Sequence, residues 1–196
     1  TSGLTTRTFF AKEITVSSTL GPAIGVIHDK HLVVAGASTA KNTIYYSGTN
    51  DIDSFSSSGS GSIVISDGVV GLASFRSDLV IFCKNSIFKL SNISDSDNIA
   101  ITPVTKNVGC LDGHSIQEIG GDLVFLSPDG IRTVAGTARI GDVELSSVSR
   151  QIQKIVTTIA DSINSFTVSS AVLRSKSQYR LFYTNTSQSA ALSKGI

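Results

Sequence analysis

Asp78-Leu79-Val80-Ile81-Phe82 returns 44 residues later as Asp122-Leu123-Val124-Phe125-Leu126. The flanks return with it. Asn85-Ser86-Ile87 falls on Asp129-Gly130-Ile131, and Leu72-Ala73-Ser74-Phe75 falls on Ile116-Gln117-Glu118-Ile119. An earlier copy runs through Ile24-Gly25-Val26-Ile27, His31-Leu32-Val33-Val34 and Thr43-Ile44-Tyr45-Tyr46, with a longer hairpin. A fainter one spans Val168 to Tyr183. Each unit reads as strand, tight polar turn, strand, turn, strand. The runs hold four to six residues rich in Val, Ile, Phe and Tyr, bounded by Gly, Asn, Asp or Ser. Blades of ~40–50 residues with four strands recur at this spacing in β-propellers. A lone blade exposes both faces, so it is stable only when neighbours cover them.

The pattern within the strands agrees. Leu79 to Phe82 is continuously apolar, as a strand buried on both faces requires. Phe88 and Leu90 alternate with Lys89, as expected further out. A β-sandwich also gives short, regularly spaced strands, but it does not predict a repeated triplet with fixed turn positions. The fold class expected is all-β: a partial or complete propeller-like array of ~44-residue antiparallel blades over residues 1–196, as one domain. One amphipathic helix is inserted near 147–163, with apolar side chains at 148, 152, 155, 156, 159 and 163 and Ser146 or Ser147 as cap. Two readings stand for it: packing on its own sheet, or contacting a partner. Phe55 to Ser62 is a serine-glycine stretch, read as a mobile surface loop or a connection between blades.

Composition excludes whole classes of function. Sixteen basic and fifteen acidic residues give +1, which is not the cationic surface of a general nucleic-acid binder. A hydrophobic content of 40% is too high for a disordered solubiliser. No apolar run approaches the ~18 residues of a membrane helix, so no membrane span is expected. The chain lacks methionine, which points to a processed product or a piece of a longer protein.

No constellation assembles a catalytic, cofactor or metal site. Cys83 and Cys110 lack CxxC spacing and read as buried thiols rather than a disulfide. His28 and His31 flank Asp29-Lys30 and, with His114, read as solvated turn residues, because no third metal ligand is in sight. Asp95-Ser96-Asp97-Asn98 alternates oxygen ligands but lacks the glycine and distal glutamate of a calcium loop; it reads as an Asx turn between blades, like Asp51 and Asp53. Gly120-Gly121 suits a two-residue hairpin turn. Gly136 to Asp142 has neither phosphate-loop nor dinucleotide spacing, and Gly59-Ser60-Gly61 is no nucleophile elbow. A sialidase-type propeller wants clustered arginines; Arg7, Arg76, Arg132, Arg139, Arg150, Arg174 and Arg180 are scattered across the copies.

The stretch Pro103 to Gln153, PVTKNVGCLDGHSIQEIGGDLVFLSPDGIRTVAGTARIGDVELSSVSRQIQ, resembles bacteriophage virion proteins, specifically β-propeller tail and nozzle components. Ile44 to Phe55 (IYYSGTNDIDSF) and Gly71 to Ser91 (GLASFRSDLVIFCKNSIFKLS) are similar to the successive blades of that family. The resemblance implies a non-enzymatic structural subunit of the phage tail, with a ring of identical copies and with adaptor and fibre proteins as partners. On that reading genomic DNA would pass through the ring, and the near-neutral charge of +1 is expected to let it do so without specific binding. It carries over no catalytic residue. The chain departs from the family in being shorter and in having about four copies of the unit. The competing expectation is a host-recognition or carbohydrate-binding module, with exposed rings such as Tyr45, Tyr46 or Tyr179 on a rim. A third is a glycosidase-like propeller.

Overall fold

The computed structural model describes residues 21–135 and 153–186, and the backbone of Lys194–Gly195. Each repeat unit forms its own antiparallel sheet. The first contains β1 (Ile24–His28), β2 (His31–Ala35), β3 (Thr43–Tyr46) and β4 (Gly61–Val64) in chain order. The second contains β5 (Val69–Phe75), β6 (Asp78–Cys83), β7 (Ile87–Ser91) and β8 (Ala100–Thr105), also in chain order. The third contains β9 (Gln117–Ile119), β10 (Asp122–Ser127) and β11 (Gly130–Thr133), and the fourth β12 (Phe166–Leu173), β13 (Gln178–Asn185) and β14 (Lys194–Gly195). The two copies of the repeated pentapeptide are thus second strands of successive sheets, β6 and β10.

Register explains why their apolar runs are continuous. Leu79 and Ile81 pack with Val33, Ile44 and Tyr46 of the first sheet. Val80 and Phe82 turn the other way, onto Leu123 and Phe125 of the third. Val124 and Leu126 then face Val168 and Leu181 of the fourth. Alternate residues of one strand therefore serve two different cores. Phe82 and Phe125 meet across the second junction at 5.2 Å between ring centroids. Sheets stacked face to face in chain order make this a β-propeller-like fold.

Tight turns set that register. Gly120 and Gly121 both have positive φ, the primed-turn geometry their sequence predicts. Asp29 and Lys30 adopt positive φ at the same place in the first sheet. Pro103 lies in β8, at the sheet edge, where its missing N–H costs no ladder bond.

The helix expected near 147–163 is α1 (Gln153–Asp161), followed by a short 3₁₀ turn at Ile163–Ser165. Val148, Ile152 and the capping serines lie outside the described residues. Val156 and Ile159 are fully buried among Leu126, Ile131 and Leu181. The helix therefore closes the junction between the third and fourth sheets, following β11 where the first two sheets place a fourth strand. Val156 and Ile159 of its apolar face are spent inside the fold, whereas Ile155 is 38% exposed.

Two loop assignments are corrected. Phe55 to Ser62 joins β3 to β4 inside the first sheet and is not a connection between blades. It is held against the hairpin: Gly48 N–H donates to the Ser54 carbonyl at 2.9 Å, and a Cβ on Gly61 would come within 2.5 Å of the Tyr46 hydroxyl. Asp95 to Asn98 likewise lies within a sheet, between β7 and β8.

Candidate functional site

Antiparallel order puts two kinds of loop on one face of the stack: the turns joining second to third strands, and the connections leading into the next sheet. These loops surround an open cleft of about 620 Å³ beside the first strands β1 and β5. Its lining includes Lys41, Lys84, Gly68, Gly71, Asp112 and His114.

The two lysines are a feature of the repeat that the strand pattern overlooks. Lys41-Asn42-Thr43-Ile44 and Lys84-Asn85-Ser86-Ile87 lead into the third strands of successive sheets, at the end of a longer connection in the first. In the third sheet the aligned residues are Pro128-Asp129-Gly130-Ile131, so the lysine stops there. Both lysines are anchored to consecutive residues of one connection. Val69 N–H donates to the Lys41 carbonyl at 2.8 Å, and Lys84 N–H donates to the Gly68 carbonyl at 3.0 Å. The Lys84 stem crosses Gly68, where even an added Cβ would meet its Cδ only at 3.8 Å. Both lysines are exposed, and neither has an ion-pair partner among the described residues.

Nearby acids are already engaged. Asp67 accepts bonds from the N–H groups of Asn85 and Gly68, both at 2.7 Å, and from the Ser86 hydroxyl at 3.0 Å. Burial pushes its pKa up, but these bonds outweigh burial and hold it below the usual carboxylate range. Asp112 is occupied by the His114 N–H at 2.8 Å and the His114 ring at 3.0 Å. At Gly71 and Gly113 the cleft floor is closely packed. A Cβ on Gly71 would collide with Ile116 and lie 3.1 Å from Gly113 Cα, and one on Gly113 would lie 2.5 Å from the Val70 carbonyl oxygen.

The histidines of the first hairpin are the clearest correction. They are not solvated: His28 is 4% exposed and His31 0%. They pair with each other across the hairpin, and their shared face looks at the second sheet, while Asp29 and Lys30 between them take the solvent. His28 Nδ1 lies 2.8 Å from the Ser74 hydroxyl. His31 Nδ1 donates to the Ser47 carbonyl at 2.6 Å, and its Nε2 lies 3.1 Å from the Ser94 hydroxyl. Ser94 in turn donates to the Asp29 carboxylate at 2.6 Å. A polar clasp thus joins the first two sheets on the face opposite the cleft. His114 alone is solvent-exposed.

Burial lowers the pKa of His28; Asp29 and Asp78 pull it back up, and neighbouring His31 lowers it further. The unfolded chain therefore takes up this proton more readily than the folded one. The stability linked to His28 is complete above about pH 6.5 and is lost as pH falls below that value. Urea midpoints measured from pH 7.5 down to 5.5 are expected to fall, and His28→Gln is expected to flatten that slope. An equal slope in wild type and variant would refute the assignment.

The remaining candidates resolve as follows. Cys83 and Cys110 are free and buried; burial pushes each thiol up to about 12, so neither is a nucleophile at neutral pH. Asp95 accepts the Asp97 N–H at 3.2 Å and the Asn98 amide at 2.7 Å, closing an Asx turn on itself. Asp51 closes a turn with Gly48, its N–H donating to that carbonyl at 3.1 Å. Among the described residues, no three His, Cys, Asp or Glu side chains converge as metal ligands. Tyr46 is buried and Tyr45 half-buried; Tyr179 is half-buried, with its hydroxyl donating to the Ser115 carbonyl at 2.8 Å. Arg132 is buried against Asp129, whereas Arg76 stacks on Phe75 at 4.9 Å and Arg180 bonds to Gln178. These arginines have separate duties. Arg7, Arg139 and Arg150, with Gly136 to Asp142, lie outside the described residues. No described helix is long and apolar enough to cross a membrane.

No protein family and no curated protein matches the chain. Among solved structures, the N-terminal domain of Nup159, a β-propeller domain, aligns with a TM-score of 0.47 at 14% identity. The alignment covers 89% of this chain and 43% of that one.

Proposed function

We propose that the chain is a non-enzymatic structural subunit of a bacteriophage tail, of the nozzle or tail-tube type. Its blades form part of the wall of a ring of copies through which DNA passes without specific binding. The virion assignment rests on the resemblance of residues 44–55, 71–91 and 103–153 to such proteins. The observation that carries the assembly reading is that both ends of the described blade stack carry apolar side chains at interface register. On the first sheet, Ile27 pairs with Leu32, which is the counterpart of Leu79 and Leu123, so all three belong to the face that looks toward a preceding blade. Ile27 is 62% exposed there, and Val64 on the same face is 69% exposed. On the fourth sheet, Phe182 is the fifth residue of the second strand, as Phe82 is in the second sheet. Phe82 is buried under the next blade, whereas Phe182 is 38% exposed.

A second copy is the occupant these ends fit. Phe182 of one copy would meet the Ile27–Val64 face of the next in the way that Phe82 meets Phe125. Such a head-to-tail contact is heterologous and generates a ring when its rotation closes. Assembly of this kind needs buried area and shape, not perturbed catalytic groups. Of the rings the host-recognition alternative invokes, Tyr46 is buried and Tyr179 is tied to the Ser115 carbonyl, which leaves the half-buried Tyr45 to support it.

Sedimentation of the purified chain is expected to show concentration-dependent oligomers that Ile27→Glu or Phe182→Glu reduces to monomers. A map of the intact particle is expected to place copies of this chain in the tail. A chain that stays monomeric at all concentrations overturns the ring, and a particle without it in the tail overturns the virion role.

A further inference from the structure

We infer that the cleft between the first two blades is an anion site for a small ligand bearing a phosphate or carboxylate group, held by Lys41 and Lys84. This inference does not depend on the assembly reading. Three observations point the same way. The Lys-Asn-Ser/Thr-Ile sequence occurs twice, and both copies deliver an exposed, unpaired lysine to the same cleft. The nearest carboxylates, Asp67 and Asp112, are held by other partners, and neither forms an ion pair with Lys41 or Lys84. The floor at Gly68, Gly71 and Gly113 presents bare backbone, and at Gly113 an added Cβ would lie 2.5 Å from the Val70 carbonyl oxygen. Neither ammonium group is tied up in an ion pair among the described residues, so both are free to donate charge-assisted hydrogen bonds to an oxyanion entering the cleft.

The geometry also limits the size of the ligand. A groove that tracks a nucleic-acid backbone needs cations recurring along its length. Here the third blade breaks the series, since Pro128 stands where the lysine would be. The cleft of about 620 Å³ lies in the size range of small-molecule sites. Lysine acts as a point charge, so it accepts phosphate and carboxylate alike; a bidentate arginine would be more selective.

Inorganic phosphate and citrate, titrated separately into the ¹⁵N-labelled chain at low ionic strength, test this. Either anion is expected to shift the amides of Gly68, Gly71 and Gly113 saturably. Response to phosphate alone assigns the site to phosphate groups, response to citrate alone to carboxylates, and response to both to oxyanions in general; each supports the inference. Lys41→Gln and Lys84→Gln are expected to weaken binding by about fivefold each, and the double variant by more than either. Lys176→Gln, in the turn on the opposite face, is expected to leave it unchanged, with thermal midpoints unaltered throughout. The inference is overturned if neither anion gives saturable shifts, if Lys176→Gln weakens binding as much as the cleft variants, or if only a DNA duplex binds through these lysines.

Discussion

Phe82→Ala is expected to be among the most destabilising single substitutions in this chain, at about 3–5 kcal/mol in urea or guanidinium unfolding. The ring is fully buried and sits at the junction of the second and third sheets, with Leu123 and Phe125 around it. Its removal forfeits the transfer energy of a whole phenyl group and leaves a cavity between two β-sheets. Backbone ladders stiffen each of those sheets, so the cavity cannot collapse cheaply. The tilted contact with Phe125 at 5.2 Å adds about 0.5–1.5 kcal/mol that a double-mutant cycle recovers as non-additivity. Domains of this size are commonly stable by only about 5–15 kcal/mol, so much of the margin depends on this residue. Phe182→Ala is the matched control, made at concentrations where the chain is monomeric. It occupies the corresponding place in the fourth sheet but is half-open to solvent, and it is expected to cost about 1 kcal/mol or less. If the two variants lose similar stability, Phe82 is not packed between blades and the stacking order is wrong.

That contrast also marks what could be read from the residues alone. The second strands were legible because a strand buried on both faces must be apolar at every position, and Leu79–Phe82 and Leu123–Leu126 are. The Gly120-Gly121 turn was legible because two consecutive positive φ values demand little else. The burial of His28 and His31 was not. Beside Asp29-Lys30 a polar residue looks like part of the turn, and only the cross-strand register turns those rings inward onto Ser74 and toward Ser94. Phe55 to Ser62 looked unattached because small side chains give no apolar signal; its packing lies in backbone contacts at Gly48 and in the space Gly61 leaves for Tyr46. The lysines of the cleft escaped for a different reason. A single exposed lysine at a turn carries no information. It acquires meaning only when the repeat shows that Lys41 and Lys84 are the same position, and the fold shows that both positions border one cavity.

The remaining large effect is steric and falls on a glycine that looks unremarkable in the sequence. Gly109→Ala is expected to cost at least the upper end of the about 1–3 kcal/mol typical of overpacking. The added Cβ would fall inside contact distance of the Lys84 carbonyl group and 2.5 Å from the Asn85 nitrogen. These are backbone atoms, so no rotamer change relieves the clash, and the connection into the third sheet must lift away from the turn between β6 and β7. That movement threatens the bond from Cys110 N–H to the Cys83 carbonyl at 2.8 Å, and the bond by which Asp67 holds the Asn85 N–H. Since the same turn carries Lys84, the substitution is expected to weaken anion binding in the cleft along with stability. Gly120→Ala separates steric from conformational cost. Gly120 has nothing within 4 Å of its added Cβ but a φ of +61°, so its expected loss is only the about 1–2 kcal/mol of left-handed strain. Denaturation of both variants decides the matter. A Gly109→Ala chain as stable as wild type, or less affected than Gly120→Ala, would mean that the second and third blades do not approach each other as closely as this turn requires.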